Sequence, residues 1–241
     1  MAANRLFMEL FDHARRLIGG SDLSVLSAGY PDLLLSPEDV ASLYGPEIAR
    51  DLPLRPDSEA ILRWHGMTGR LPGVFDTTEL FRRLGCRLDV IDLAEVRGGE
   101  LVADLNYPLP ASWHGRFDLV MDTGTCEHVF NAGQAFINLA STVKPGGFIV
   151  QAVPLSSYNH GFYNVNPTLP ADFYCSDNGY ELAYLKGFIN MLTEPQQFDV
   201  PLHDRFREVP DNAIMIAVAK RLNDSEVRPV VQFKYRLQLG K

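Results

Sequence analysis

Two histidines mark the parts of the chain that could carry chemistry. His128 lies six residues after Asp122 in the segment FDLVMDTGTCEHVFN (117–131), and His160 lies in a loop rich in asparagine and tyrosine. An imidazole titrates near neutral pH, so either histidine could take a proton from a bound hydroxyl group. For both, a purely structural imidazole is the competing interpretation. The loop also holds candidate contacts for a polar ligand: Tyr158, Asn159 and Tyr163.

Three consecutive predicted strands each end in an aspartate, at Asp92, Asp104 and Asp122. The carboxyl ends of parallel strands meet at one edge of a sheet, so these side chains are expected to line one crevice. A carboxylate can accept two hydrogen bonds from a diol, and Leu105 beside Asp104 offers an apolar surface to a purine ring. The pattern favours a nucleoside site. The alternative is that each aspartate only caps the turn that follows it.

The elements that position these residues alternate between helix and strand. Apolar residues at helical spacing predict an N-terminal helix over residues 3–18. Apolar runs of strand length follow, and two further β patterns near the C-terminus favour an antiparallel pair at one edge of the sheet. The predicted strands are 23–27, 87–92, 100–104, 117–121, 148–153, 180–188 and 213–221. Helices predicted at 77–84 and 132–143 alternate with them, which indicates a doubly wound α/β sheet.

The segment 44–75 does not fit this alternation. It contains several prolines and glycines and is too long for a plain connection in a compact domain. We interpret it as an insertion with a short helix near 57–64 that forms a lid over the site or an interface. His65 within it is a weaker candidate for reaching the site.

Composition narrows the class of ligand and the compartment. The net charge of −8, without an evident basic patch, argues against nucleic acid as a partner. Three cysteines without a CxxC motif fit reduced thiols and a cytoplasmic location. No apolar run reaches the length of about 18 residues that a membrane helix needs, so we expect no membrane partner.

Four segments occur in an order that resembles the class I S-adenosylmethionine-dependent methyltransferases. They are VIDL near 89–93, VADLNYPLP at 102–110, FDLVMDTGTCEHVFN at 117–131 and KPGGFIV at 144–150, and together they span about residues 87–155. More narrowly, GYPDLL, WHG, GTCEHVFN and NHGFYNVNPTL resemble an uncharacterised bacterial subgroup of such enzymes with a degenerate glycine motif.

The resemblance implies a single domain over residues 1–241 with an α/β, Rossmann-like, doubly wound and mostly parallel sheet of the class I methyltransferase type, with an antiparallel edge strand. It also implies S-adenosylmethionine as cofactor. The residues it implies for cofactor binding are Ser27, Gly29, Asp92, Asp104, Leu105, Asp122, Thr123 and Gly124.

One departure concerns the turn after the first strand of the sheet. The family usually has a glycine-rich turn there, whereas this chain has SAGYPD and keeps only Gly29. Tyr30 and Pro31 would stiffen and crowd that turn. We therefore expect cofactor binding to be altered at the methionine end, with Asp32 or the insertion supplying contacts.

The predicted function is methyl transfer from S-adenosylmethionine to a small polar acceptor, most specifically an oxygen of a sugar or secondary metabolite. The alternative is a non-catalytic binding or scaffold protein of the same fold. A dehydrogenase is disfavoured because the chain lacks G-x-G-x-x-G. Asp122, Glu127, His128 and His160 could converge on a cation, but no paired His or Cys spacing supports this, so we predict no metal. A homodimer is left open.

Overall fold

The computed structural model describes residues 2–238, in which a central eight-stranded sheet is flanked by helices. The strands are β1 (Ala2–Asn4), β2 (Leu23–Ala28), β3 (Asp32–Leu34), β4 (Cys86–Asp92), β5 (Leu101–Val102), β6 (Phe117–Asp122), β7 (Val143–Pro154), β8 (Tyr180–Ile189), β9 (Gln196–Phe198) and β10 (Ile214–Arg221). The α-helices are α1 (Arg5–Ile18), α2 (Pro37–Tyr44), α3 (Pro46–Ala49), α4 (Ser58–Trp64), α5 (Thr77–Arg83), α6 (Ala132–Thr142), α7 (Thr168–Phe173) and α8 (Phe233–Gln238). Single 3-10 turns lie at Ala111–Trp113, Cys126–His128 and Ser176–Asn178.

The order of strands in the central sheet is β5-β4-β2-β6-β7-β10-β8-β9. The first five of these are parallel, β10 runs antiparallel to both β7 and β8, and the short edge strand β9 is antiparallel to β8. This arrangement confirms the predicted fold class. The antiparallel partner of β7 lies inside the sheet, with β8 and β9 beyond it.

The register of the parallel strands brings their carboxyl ends together. Ala28 at the end of β2 pairs with Ile91 of β4 on one side and with Asp122 of β6 on the other. Asp122 in turn pairs with Gln151 of β7. The turns after β4, β6 and β7 therefore open onto the same edge of the sheet.

Helix α1 covers one face of the sheet near β6 and β7. It buries Phe7, Met8 and Phe11, which recur at helical spacing. The Asn4 side chain accepts a hydrogen bond from the Phe7 N–H and so fixes where the helix begins. The helix therefore starts two residues later than predicted, and the preceding residues form β1, which pairs with β3.

Other predictions also differ from the structure at their boundaries; the strand predicted at 148–153, for example, is β7, which already begins at Val143. The strand predicted at 100–104 has only two residues, Leu101–Val102. On its N-terminal side the Glu100 carboxylate accepts a hydrogen bond from the Arg97 N–H, so Glu100 belongs to the preceding turn. The run 230–239, whose sequence is compatible with an extra strand or a docked tail, contains helix α8, which bonds to Asp172 through the Phe233 N–H and Arg236. Met1 and residues 239–241 lie outside the described part. They include the last residue of that run and both ends of the predicted single domain.

The insertion 44–75 folds around a small apolar cluster of its own with β3. Helix α4 begins one residue later than predicted and buries Ile61 and Leu62 against Leu34 and Val74. Phe75 forms antiparallel bridges with Leu33 and Leu54, which ties the segment to the main body. Among residues 2–238, no helix has the length and apolar character needed to span a bilayer.

Candidate functional site

A cavity of about 830 Å³ opens at the carboxyl ends of β4, β6 and β7. Seven of the predicted site residues line it: Asp92, Asp104, Leu105, Thr123, Gly124, His128 and His160. Six others are absent from its lining among the described residues: Ser27, Gly29, Asp122, Tyr158, Asn159 and Tyr163. Further residues complete the wall, among them His65, the weaker candidate, and Trp64, which sequence reasoning did not place there.

Asp92 and Asp104 define one end of the cavity. The Asp92 Oδ1 atom accepts a hydrogen bond of 2.7 Å from the Leu93 N–H. The Asp104 Oδ1 atom accepts bonds of 2.9 and 2.7 Å from the backbone and side-chain nitrogens of Asn106. In each carboxylate these bonds hold one oxygen and orient the group. Within residues 2–238 the second oxygen of each carboxylate accepts no hydrogen bond from the protein, so it can accept one from a ligand.

Asp122 has a different environment from the other two strand-end aspartates. It is fully buried, and its Oδ1 atom accepts hydrogen bonds from the backbone N–H groups of Gly124 (3.1 Å) and Thr125 (2.6 Å). Its Oδ2 atom accepts a bond of 2.9 Å from Gln151 Nε2, and Gln151 Oε1 accepts one from the Tyr174 hydroxyl. The structure therefore does not bring the Asp122 carboxylate to the cavity; it shapes the turn that carries Thr123 and Gly124 there.

The turn after β2 is also closed to the cavity. The buried Ser27 hydroxyl donates to the Gly29 carbonyl, and the Gly29 N–H donates to the Ile91 carbonyl. Gly29 has φ = +71°, a conformation that favours glycine. The Tyr30 hydroxyl accepts a hydrogen bond from Arg55 of the insertion. These contacts use the polar groups that the resemblance assigned to the cofactor.

Asp32 of β3, which is only 2% exposed, anchors the insertion beside the cavity. The Asp32 Oδ2 atom lies 3.0 Å from His65 Nε2 and 3.2 Å from Arg97 Nη2. His65, which was the weaker candidate, therefore lines the cavity because a buried carboxylate holds it there. Next to it, Trp64 is exposed at the cavity wall. The expectation that the insertion approaches the site agrees with this placement.

Glu127 lies at the other end of the cavity, between the two histidines. It is 1% exposed, and its Oε1 atom is 3.6 Å from His160 Nε2 and 3.9 Å from His128 Nε2. The two imidazole rings are 5.1 Å apart. Sequence reasoning gave Glu127 a place only in the rejected metal set. The adjacent acid and imidazole in CEH were the signal available for it.

The electrostatics of this group follow from burial and proximity. Burial raises the pKa of Glu127, although the nearby His160 imidazole opposes part of that rise. The contact with Glu127 raises the pKa of His160. The pair therefore keeps a proton to higher pH than isolated side chains do.

The loop that carries His160 is clamped against the 3-10 turn at Cys126–His128. The Phe162 N–H donates a hydrogen bond of 2.8 Å to the Glu127 carbonyl. A Cβ atom on Gly161 would lie 2.9 Å from the backbone and side chain of Glu127, so the close approach needs glycine. The other predicted loop contacts point elsewhere: the Tyr163 hydroxyl bonds to the Phe130 carbonyl, and Tyr158 lies beside a separate cavity.

The pair Glu127–His160 gives the fold a pH-dependent contribution to stability. Its protonated form is favoured in the folded state, so the contribution is full below the ordinary histidine pKa of about 6.5. It is lost as pH rises through the raised pKa of folded His160, and the raised pKa of Glu127 acts in the same direction. We expect the free energy of unfolding, measured with urea, to fall modestly from about pH 6 to pH 8.

In His160→Gln this fall should be shallower, whereas His114→Gln, at an exposed position, should keep the slope of the unmodified protein. An unchanged slope in His160→Gln would contradict the assignment of the pair.

Comparison with known proteins finds similarity in fold. No family model matches the chain, and no curated protein does. A 1,6-didemethyltoxoflavin-N1-methyltransferase of Burkholderia thailandensis, with bound S-adenosylhomocysteine, matches at 14% identity and TM-score 0.45 over 89% of this chain and 79% of that one. TehB from Haemophilus influenzae matches at 10% identity and TM-score 0.46 over 89% and 62%.

A SAM-dependent TehB-like methyltransferase from Corynebacterium glutamicum matches at 13% identity and TM-score 0.42 over 87% of this chain and 85% of that one. Two of these three structures, those from Burkholderia thailandensis and Corynebacterium glutamicum, are described as methyltransferases. Because every one of these identities and TM-scores is low, the fold is assigned from the strand order.

Proposed function

We propose that the chain is an S-adenosylmethionine-dependent methyltransferase that acts on a small polar acceptor, an oxygen of a sugar or secondary metabolite. The observation that carries the proposal is one cavity with a different chemistry at each end. Asp92 and Asp104, beside apolar Leu93 and Leu105, lie at one end, and the Glu127 group lies at the other. A site for a nucleoside next to a site for proton transfer is what this reaction requires.

The first end fits the adenosine part of the cofactor. A carboxylate with a free oxygen at Asp92 suits the ribose diol, and Asp104 with Asn106 suits the polar edge of adenine. Leu93 and Leu105 offer apolar contacts to the ring. When bound, S-adenosylmethionine supplies a methyl group on a positively charged sulfur, so the protein has only to align the acceptor and remove its proton.

The second end supplies groups for the acceptor proton. His128 and His160 are each about half exposed and face the cavity, so a neutral imidazole can accept a proton from a bound hydroxyl. The buried Glu127 carboxylate orients these imidazoles and stabilises them once they are protonated. His160 is the nearer of the two to Glu127 and is therefore our first candidate for the base.

Calorimetric titration with S-adenosylhomocysteine tests the proposal. We expect saturable binding, and Asp92→Ala should weaken it by about 100-fold, since hydrogen bonds to a charged group contribute about 1.5–3 kcal/mol each. Asp211→Ala, at an exposed position, is the matched control and should bind like the unmodified protein. Absence of binding at high micromolar ligand, or equal affinity in Asp92→Ala, would refute the proposal.

A second candidate is a binding protein that holds the nucleoside without turnover. The polar groups of the turn after β2 are bonded inside the protein, at Ser27 and Gly29, and this favours it. Release of S-adenosylhomocysteine from S-adenosylmethionine with a panel of hydroxylated acceptors separates the two: the enzyme releases it and the binding protein does not.

A further inference from the structure

We propose that Glu127, His128 and His160 bind one divalent transition-metal ion of the Zn²⁺ type at the Glu127 end of the cavity. Two imidazoles and a carboxylate form a donor set that suits Zn²⁺ and related first-row ions, while leaving positions for other ligands. We predicted no metal from the sequence because it has no HxxxH motif and no paired His or Cys spacing. The fold supplies the set instead, from a 3-10 turn and from a loop 32 residues further on.

The distances among the donor atoms are close to those of a metal site. One donor atom from each residue can be chosen so that all lie within 4.8 Å of one another. The Glu127 Oε1 atom is 3.6 and 3.9 Å from the two Nε2 atoms. Ligands about 2.1 Å from a tetrahedral ion lie about 3.4 Å apart. Both imidazoles are about half exposed at the cavity, so a small inward movement of the two rings can complete the geometry.

An independent observation concerns the second oxygen of Glu127. The carboxylate is 1% exposed, yet its Oε2 atom has no hydrogen-bond partner among the described residues. Such a buried oxygen is costly without a donor or a cation. Glu127 lines the cavity, so a cation held there by the two imidazoles also compensates this charge.

The carboxylate is held in place by its surroundings. A Cβ atom on Gly124 would lie 2.9 Å from Glu127 Oε1, and one on Gly161 would lie 2.9 Å from Glu127 Cγ. Both flanking segments therefore pack directly against it, and a preorganised ligand favours metal binding. Asp122 is excluded from the set because its oxygens bond to Gly124, Thr125 and Gln151.

The role of the ion, unlike its binding, rests on the proposed function. Open coordination positions facing the cavity would bind the acceptor oxygen at the Glu127 end and make its hydroxyl proton easier to lose to water. In that form the two imidazoles are ligands, and the assignment of His160 as the base applies to the protein without the ion.

Zinc titration of the tag-free, chelator-treated protein tests the site in the absence of any cofactor. We expect one ion per chain with micromolar or tighter affinity. His128→Ala and His160→Ala should each weaken binding by at least about 100-fold, because even outer-shell partners are worth 10–100-fold. His13→Ala and His114→Ala, at exposed positions outside the cavity, are the controls and should bind as the unmodified protein does.

Cobalt substitution of the unmutated protein provides a measurement that does not depend on variants folding. Intense visible absorption bands of four- or five-coordinate Co²⁺ are expected, and Zn²⁺ should displace them. Absence of stoichiometric zinc binding, or an equal loss in the control variants, would overturn the proposal. Titration of the same metal-free sample with S-adenosylhomocysteine reports separately on the proposed function.

Discussion

Replacing Asp122 by alanine is expected to lower the free energy of unfolding by about 3 kcal/mol, among the larger effects of a single substitution. The carboxylate is fully buried and accepts bonds from two backbone N–H groups and from Gln151 Nε2. Alanine removes the carboxylate acceptor of the buried Gln151 amide. Only the weaker acceptor Cys126 Sγ, at 3.4 Å from Gln151 Nε2, and the bond from the Tyr174 hydroxyl to Gln151 Oε1 then hold this side chain. Urea unfolding followed by circular dichroism measures the change.

Asp122→Asn is the informative companion. One asparagine oxygen can still accept from the N–H groups of Gly124 and Thr125, and its amide can donate to Gln151 once the Gln151 amide turns over. The Tyr174 hydroxyl oxygen can then accept from Gln151. We therefore expect a loss of only about 1 kcal/mol. Asp199→Ala, where the side chain is 88% exposed, controls for loss of a surface carboxylate and should change stability by less than about 0.5 kcal/mol.

Equal losses in Asp122→Ala and Asp122→Asn would mean that hydrogen bonding does not explain the effect. A loss in Asp122→Ala as small as that in Asp199→Ala would mean that the buried bonds contribute nothing net.

The sheet was predictable because its strands are apolar runs of the right length, bounded by turns. The pairing of β6 with β2 and β7 puts the turn with Thr123 and Gly124 beside the cavity at the carboxyl edge of the sheet. The role of Asp122 was not decidable in this way. An aspartate at a strand end can face a ligand or cap its own turn, and the sequence pattern is the same in both cases. In the structure one oxygen of the Asp122 carboxylate caps its own turn. Gln151, which pairs with Asp122 on β7, donates to the other oxygen.

Contacts between distant segments could not be predicted from spacing. The approach of His160 to Glu127 depends on a loop clamped by the Phe162 N–H, and the approach of His65 depends on a buried ion cluster at Asp32. Neither of these two approaches produces a periodic pattern of residues in the sequence. The asparagine- and tyrosine-rich loop still suggested a polar function for His160, whereas His65 was only a weaker candidate. The partner of neither histidine was identified.

Replacing Asp32 by alanine should loosen the insertion and weaken nucleoside binding together. Asp32 is the shared partner of His65 and Arg97, so its loss leaves His65 Nε2 without its acceptor and leaves Arg97 only the Asp57 carboxylate, 3.8 Å from its Nη1. Removing one member of a buried pair costs about 3–5 kcal/mol, and because Arg97 is partly exposed we expect about 3 kcal/mol here. Hydrogen–deuterium exchange should rise over 57–67, where α4 leads to Trp64 and His65 on the cavity wall.

Glu59→Ala, on the exposed side of α4, is the matched control, because it removes only a surface pair with Arg63. It should leave exchange over 57–67 and the affinity for S-adenosylhomocysteine unchanged. If Asp32→Ala raises exchange evenly across the whole chain, Asp32 supports the global fold and not the insertion in particular. If exchange rises over 57–67 but affinity is unchanged, the insertion does not contribute to the nucleoside site. Only a joint change connects the buried cluster at Asp32 with the cavity wall that His65 and Trp64 form.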